Sequence, residues 1–487
     1  MKSVLQVLDF LKIQSNNSQN IPVDSLYLDS RKCNDLSVFV AIKGQVTDGN
    51  KYIEDVLAKG VKLVLTDKEL PRLASQSTPS LGEGELPAVI YVEDLKNKLA
   101  TLAQWFYDYK KPENVVGITG TNGKTSISNY ISQLLDLDNQ KALLLGTNGN
   151  GIYPDLKEST HTTLDVLSLY SELSDHKNYQ NLVMEVSSHA LDQQRTKGLD
   201  FDVAVFSNLS HDHLDYHKTM DNYFLAKAQL FKFDNLKKAV INIDDEYGLK
   251  LCDMCSCEVV TVSLKSKQAD VYIDVKNIKN MTTSFELFLN QKSEGYFTTC
   301  LVGDFNLTNL ALSIAACDGQ VIKNKFLASV PKVKPVKGRM EIINLSSGAK
   351  IVIDYAHTPD ALEKALLSLR VYSQADLWCI FGCGGDRDSS KRAKMATIVE
   401  KYADEIVVTE DNNRFEDIEN IFDDIREGFS NYHTFIKSRE EAINYAIEKS
   451  SAQDIILLSG KGHECYLDKN GVKEFFDERE VIKRAIS

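Results

Sequence analysis

The sequence predicts an α/β chain of three domains. Three observations carry that reading: a length of 487 residues, short apolar runs alternating with helix-compatible stretches, and a glycine-rich turn that joins one such run to a helix. At roughly 100–200 residues per domain, this length calls for several cores rather than one. A composition of 43% hydrophobic and 26% charged residues is that of ordinary globular protein, which excludes wholesale disorder and fibrous classes.

Residues 1–110 hold apolar runs at 37–42, 61–65 and 88–92, as expected of a small α/β domain. The Ser-, Gly- and Pro-rich stretch 73–87 reads as a surface loop, and Lys110-Lys-Pro-Glu113 as the first boundary. In residues 111–336, strand candidates at 115–119, 142–146, 182–186, 203–207 and 239–243 alternate with helical patterns, which argues for a parallel sheet with crossover helices. Runs at 258–264, 270–278, 284–289 and 296–302 then follow in quick succession and read as an antiparallel portion, closed by a helix over 307–317. The prolines and charges of 330–337 suit a linker. Residues 337–487 alternate again, with strands at 350–354, 377–381, 405–409 and 455–459, and form a smaller Rossmann-like α/β domain.

A formal net charge of -13 argues against a broad nucleic-acid surface, since phosphate backbones need a basic footprint. No apolar run has membrane-spanning length, and the Met1-Lys-Ser-Val-Leu-Gln start lacks a signal peptide's apolar core, so the expected compartment is the cytoplasm. Nine cysteines, an odd number, suit reduced thiols better than a disulfide framework. Cys252, Cys255 and Cys257 resemble half a metal site without its partner half, and read as structural thiols.

Residues 115–126 read as a buried strand running through a glycine-rich turn into a helix, a geometry that binds phosphate. Gly120, Thr121, Asn122 and Gly123 form the turn. Lys124 is placed to reach outer phosphates, Thr125 offers a hydroxyl suited to Mg²⁺, and Ser126 continues the helix. The glycines depart from the usual P-loop spacing, with Ile118 five residues before Gly123.

Further motifs follow predicted strands, where ligands of open α/β sheets bind. Glu185-Val-Ser-Ser-His places a carboxylate that suits either a hard cation or local capping. The stretch 208–217 has three histidines, His211, His213 and His217, whose spacing fits no common zinc pattern and better suits one side chain serving a Mg-nucleotide site. Lys227 falls in a helical stretch. In the last domain, motifs at 354–360, 382–388, 411–414 and 460–464 line one rim. There Arg387 and Arg414 suit a bidentate grip on a carboxylate, and Glu464 suits an ammonium. These are the requirements of an amino-acid site.

Taken together, Gly120-Thr-Asn-Gly-Lys-Thr, Glu185-Val-Ser-Ser-His, residues 208–217, Gly303-Asp-Phe-Asn-Leu-Thr-Asn309, Gly338-Arg-Met-Glu341, Asp354-Tyr-Ala-His-Thr-Pro and Gly460-Lys-Gly-His-Glu resemble the Mur ligase family in order and spacing. The likeness covers nearly the whole chain. It implies an ATP-dependent amide-bond-forming ligase of peptidoglycan synthesis, most similar to the member that adds the third residue of the stem peptide to UDP-N-acetylmuramoyl-L-alanyl-D-glutamate through an acyl phosphate. It further implies catalytic roles for Lys124, Glu185, His213 and Lys227, with Thr125, Glu185, His213 and Lys227, as a carbamate, serving Mg²⁺. Asn309 and Arg339 would border the co-substrate ATP. Leu28, Ser30 and Gln45, with Thr162, Thr163, Ser187, Gln193 and Arg195, would hold the UDP-muramoyl dipeptide. Arg387, Asp411, Asn412, Asn413, Arg414, Gly460 and Glu464 would hold the amino acid. The family's diaminopimelate-adding members carry Asp-Asn-Pro-Arg at this place, and here Asn413 stands for the proline, which frees the turn and loosens the clamp. Because Arg414 is kept, the expected amino acid is meso-diaminopimelate, with L-lysine as the alternative. A sibling such as folylpolyglutamate synthase, or a nucleotide-regulated binding protein on the same scaffold, are the rival readings. Partners are small molecules only, with neither nucleic acid nor membrane, and a monomer is expected.

Overall fold

Strands covered by helices on both faces must be apolar throughout, and the runs that the sequence offers behave so: Ala142–Gly146, Asn181–Glu185, Leu377–Phe381 and Ile455–Ser459 are buried at every position. The computed structural model describes residues 1–13, 20–44, 47–69, 88–159, 161–317 and 323–486. Gln45 and the whole of the expected loop at 73–87 lie outside the described residues. The chain divides into two compact units. One gathers residues 1–113, 161–179 and 189–200; the other gathers 114–160, 180–188 and 201–487.

In the first unit, β1 (Lys2–Ser3) and β2 (Pro22–Val23) pair antiparallel. β3 (Ser25–Tyr27), β4 (Ser37–Ala41), β5 (Leu63–Thr66) and β6 (Ala88–Tyr91) form a parallel sheet in chain order.

The second unit contains two larger sheets. β7 (Asn114–Thr119), β8 (Ala142–Gly146), β9 (Gly149–Ile152), β10 (Asn181–Glu185), β11 (Val203–Phe206), β12 (Lys238–Asn242), β13 (Glu258–Ser263), β14 (Val271–Lys279), β15 (Thr282–Leu289) and β16 (Lys292–Thr299) assemble in the order β16-β15-β14-β13-β12-β11-β7-β10-β8-β9. Strand β7 lies between β10 and β11, so the strand order reverses at its carboxyl end, the place where such sheets bind ligands. The antiparallel portion is smaller than expected: β13 pairs parallel with both neighbours, and only the β14–β15 and β15–β16 pairs at one edge and the β8–β9 pair at the other are antiparallel. The segment 330–337 also differs from an exposed linker, because Val330, Val333 and Val336 are buried in the core of this sheet.

The other sheet orders β17 (Glu341–Asn344), β18 (Lys350–Asp354), β22 (Ile455–Ser459), β19 (Leu377–Phe381), β20 (Glu405–Val408) and β21 (Thr434–Phe435) as β17-β18-β22-β19-β20-β21, all parallel except β17. Here β22 is inserted between β18 and β19, which brings its following loop between theirs. A hairpin of β23 (Tyr466–Lys469) and β24 (Val472–Phe475) follows.

The last helix, Glu478–Ile486, is fastened by an ion pair between two buried side chains, with Arg439 Nε 2.8 Å from Glu478 Oε1. Arg439 also donates to the carbonyl of Ser459, the last residue of β22, at 2.8 Å. Glu478→Ala strands a buried guanidinium, so urea unfolding should show a loss of about 3–5 kcal/mol. A loss below about 1 kcal/mol, the worth of a surface pair, would contradict this account.

Candidate active site

The turn after β7 is shaped by contacts that leave no room for larger residues. Gly120 has φ +148°, and a Cβ there would collide with Ser207 Oγ. Gly123, with φ +89°, opens the helix Lys124–Leu137 without any side-chain cap, and a Cβ on it would stand 2.5 Å from Asn309 Oδ1. The strand end of β11 holds the turn from the other side: Thr121 N donates to Asn208 O at 2.8 Å and Asn122 N to Asn208 Oδ1 at 3.0 Å. The uncapped helix N-terminus therefore faces the turn, as an anion site requires. Ser126 is buried within the helix.

Two ammonium groups converge on one carbonyl of this turn. Lys124 Nζ donates to Gly120 O at 2.8 Å and to Thr121 O at 2.9 Å, and Lys227 Nζ donates to Gly120 O at 2.7 Å. Lys227 is not an exposed helix lysine: only 1% of it reaches solvent. Burial, reinforced by the neighbouring Lys124 charge, holds its amine well below the ordinary lysine range, against an opposing pull from Asp212. Desolvation likewise lowers Lys124, which Glu185 and Asp212 oppose. The Lys227 ammonium lies 4.5 Å from the centroid of the Tyr223 ring, and His213 meets the same ring edge-on at 6.0 Å. His213 has φ +53°, is half exposed, and sits 3.4 Å from Asp212.

Glu185 ends β10 beside the turn. Its carboxylate accepts from Thr125 Oγ1 at 3.0 Å, Thr147 N at 2.8 Å and Thr147 Oγ1 at 3.0 Å, and it is 1% exposed. Gly146 lacks a side chain where that carboxylate packs. A buried carboxylate and a threonine hydroxyl side by side form a hard oxygen donor set that fits Mg²⁺. Among the described residues, no group of three or more His, Cys, Asp or Glu side chains is placed to hold a metal ion.

The loop before β17 reaches this place. Arg339 Nη2 lies 3.4 Å from Thr125 Oγ1, and its guanidinium stacks 4.3 Å from the Tyr355 centroid. Asn122 Nδ2 lies 3.4 Å from Asp360. His357 Nδ1 donates to Tyr355 O at 2.9 Å; burial, then the Lys391 charge, holds its imidazole below the ordinary histidine range.

At the rim of the second sheet, Asp411, Asn412 and Glu464 come together around Lys461. Asn412 Nδ2 donates to Glu464 Oε2 at 2.9 Å, and Lys461 Nζ to Asn412 Oδ1 at 3.0 Å and Glu464 Oε2 at 3.1 Å. Gly460, with φ +113°, passes so close to Asp411 that a Cβ would stand 2.8 Å from Oδ2. Burial raises the Asp411 carboxyl, yet Lys461 and Arg439 outweigh it and leave the group below the usual carboxylate range.

Arg414, with φ +54°, donates to Gly385 O at 2.6 Å. Its backbone exchanges two hydrogen bonds with the turn of the β23–β24 hairpin, Arg414 N to Asp468 O at 2.9 Å and Asn470 N to Arg414 O at 2.7 Å. At the turn where Asn413 stands, the hairpin and the bond from Gly385 N to Asn412 O at 2.9 Å supply backbone restraints in place of a proline. Buried Arg392 adds a fork onto Glu416, 2.7 Å to each oxygen, and reaches Gly384 O at 3.2 Å. Arg387 lies exposed on the adjoining loop, without a hydrogen bond or ion pair among the described residues.

In the first unit, Arg195 joins two of the expected residues, donating to Gln193 Oε1 at 2.6 Å and to Thr163 O at 3.0 Å. Thr162 is adjacent and half-buried, Leu28 follows β3, and Ser30 opens a short 3₁₀ turn capped by Asp29. His161 lies near Arg195: burial and then that guanidinium lower its imidazole, while Asp165 and Asp29 oppose them. Ser187, after β10, belongs to the second unit.

Sequence reading missed Asn208 as the brace of the turn, Tyr223 as the platform for Lys227, and His357, Arg392 and Lys461. Asn208, His357 and Lys461 fall in segments visible as polar strand ends, whereas Tyr223 and Arg392 lie on helices; apart from the contact of Tyr223 with Lys227 one turn away, their contacts are mostly distant in sequence.

Comparison with known proteins accords with this arrangement. Three family models match along the chain: "Mur ligase family, catalytic domain" over residues 22–107, "Mur ligase middle domain" over 118–317, and "Mur ligase, glutamate ligase domain" over 338–462. The chain is 42% identical over 483 residues to UDP-N-acetylmuramoyl-L-alanyl-D-glutamate--2,6-diaminopimelate ligase of Vibrio vulnificus, covering 96% of this chain and 95% of that protein. It is 40% identical over 480 residues to the protein of the same name from Pseudomonas aeruginosa, covering 96% of each. A solved structure of a ligase with that name superposes with a TM-score of 0.67 at 35% identity, over 100% of this chain and 99% of the other. The MurF ligase of Thermotoga maritima in complex with ADP shares the fold, with a TM-score of 0.64 at 17% identity over 91% of this chain and 94% of the other. With family models and full-length relatives agreeing from end to end, the chain belongs to the Mur ligase family.

Proposed function

We propose that this ligase joins meso-diaminopimelate to the D-glutamyl γ-carboxylate of UDP-N-acetylmuramoyl-L-alanyl-D-glutamate, with ATP as co-substrate. The observation that carries the amino-acid choice is the pairing of opposite charges at one rim: Arg414 tied to the Gly385 carbonyl, and Glu464 held by Asn412 and Lys461. Diaminopimelate ends in an ammonium and a carboxylate and matches both, whereas the lone ammonium of L-lysine would be repelled by Arg414. The names of the relatives at about 40% identity support the same substrate.

The chemistry follows from what each group can do. A carboxylate oxygen is a poor leaving group, so it first attacks the γ-phosphorus and ADP departs. The incoming amine then attacks the acyl carbon, and phosphate leaves with the carboxylate's original oxygen. The N–H groups of residues 120–125 and the Lys124 ammonium hold and neutralise the phosphoryl oxygens. Thr125 and Glu185 would hold Mg²⁺, with His213 as a further candidate; when bound, the ion supplies charge neutralisation between phosphates. Asn309 and Arg339 border the nucleotide. In the first unit, Leu28, Ser30, Thr162, Thr163, Gln193 and Arg195 bind the UDP-muramoyl dipeptide, and Ser187, in the second unit, is a further residue assigned to that substrate. We assign nucleotide-sugar, ATP and amino-acid binding to residues 1–110, 111–336 and 337–487 respectively. Its nucleotide substrates place the reaction in the cytoplasm, and the chain acts as a monomer.

Lys227 carries a carbamate in this reading. The free amine, which burial favours over the ammonium, attacks CO₂, a proton leaves to solvent, and the side chain becomes an anionic oxygen donor beside the polyphosphate. Protein equilibrated with ¹³C-bicarbonate should show a carbamate resonance that Lys227→Met abolishes. A wild-type spectrum without that resonance would rule the carbamate out.

The substrate assignment is checked by phosphate release in the presence of each amino acid. Turnover should require diaminopimelate, and Arg414→Ala should cost about 2–5 kcal/mol in kcat/KM for it, with the KM for ATP unchanged. Equal turnover with L-lysine would overturn the assignment.

A further inference from the structure

Lys461 lies beneath the acidic end of the amino-acid rim, with 0% of its side chain exposed. Its ammonium is 3.0 Å from Asn412 Oδ1, 3.1 Å from Glu464 Oε2 and 3.7 Å from Asp411 Oδ1, and 5.1 Å from the centroid of the Tyr466 ring. All three polar partners belong to the residues assigned to the incoming amino acid. The other charges nearby are already matched, Arg439 with Glu478 at 2.8 Å and Glu410 with Lys469 at 2.8 Å. What is left at the ammonium end of the rim is two carboxylates and one buried ammonium, while Arg414 and the exposed Arg387 are the residues assigned to the carboxylate end.

Burying an ammonium is expensive, and an apolar side chain under the loop would serve packing as well. The position of this one decides the charge that a ligand meets. We propose that Lys461 is a specificity-determining residue, whose fixed positive charge offsets one of the two carboxylates at this end and so favours an amino acid whose distal end is zwitterionic over one that ends in a lone ammonium. With Lys461 present, this end carries one net negative charge and holds a distal ammonium best when its carboxylate partner is gripped by the arginines. Without the Lys461 charge this end becomes doubly negative and attracts a distal cation whether or not a carboxylate accompanies it. Lys461 acts on selectivity through Asp411, Asn412 and Glu464, and makes no contact with the carboxylate end held by Arg414.

The inference rests on the amino-acid role proposed above, and one set of assays separates the two. Values of kcat/KM for meso-diaminopimelate and for L-lysine, and the KM for ATP, are measured in wild type, Lys461→Met, Lys461→Gln and Asn412→Asp. The wild-type preference tests the substrate; the change in preference between proteins tests Lys461. Each neutralising variant should shift the ratio of the two kcat/KM values toward L-lysine by about tenfold or more, as expected for one unit charge a few ångströms from the ligand in a partly screened site. Asn412→Asp adds a carboxylate while leaving the buried ammonium partnered, so it should shift the ratio the same way even where a Lys461 variant does not fold. A merely structural lysine would lower both substrates alike. An unchanged ratio in the folded variants would overturn the proposal.

Discussion

The carbonyl of Gly120 is the point on which the arrangement turns. It accepts from both Lys124 and Lys227, and the close packing of Ser207 against it allows no side chain at this position. Burial lowers both amines, and the Lys124 charge lowers Lys227 further. Such a concentration of positive potential, continued by an uncapped helix N-terminus, is unfavourable by itself and favourable around a polyphosphate. The same crowding that makes the loop an anion site keeps the Lys227 amine nucleophilic. Phosphate binding and the proposed carbamate thus share one electrostatic cause.

Topology supplies the rest. In the larger sheet, β7 lies between β10 and β11, so Glu185 and Asn208 arrive beside the turn from either side. In the other sheet, β22 enters between β18 and β19 and delivers Gly460–Lys461 next to the loop that follows β20. Each sheet builds its site at an order reversal, and the loop around Arg339 runs from one to the other. Activation of a carboxylate and capture of an amine are divided between two parallel sheets by this route.

The parallel strands were legible because burial on both faces demands unbroken apolar runs. The runs at 142–146, 350–354, 377–381 and 455–459 coincide with β8, β18, β19 and β22. Strands without that demand were missed or misread. β24 is exposed at all four positions, β17 is half exposed, and β13 was grouped with an antiparallel portion although it continues the parallel one. Site chemistry was legible where a backbone conformation or a charge betrays itself locally, as in Gly123-Lys-Thr or Glu185. The contacts of Lys461, Arg392 and Asn208 come from partners far along the chain, and so do the hairpin bonds that restrain the turn at Asn413, which a local reading could not see.

The central claim is that the phosphate loop serves to activate a carboxylate, and the fate of one oxygen atom tests it. With UDP-N-acetylmuramoyl-L-alanyl-D-glutamate labelled with ¹⁸O in the D-glutamyl γ-carboxylate, turnover with ATP and diaminopimelate should release inorganic phosphate carrying one ¹⁸O atom per amide bond formed. Unlabelled phosphate accompanying amide formation would contradict an acyl phosphate, and with it the account of this site.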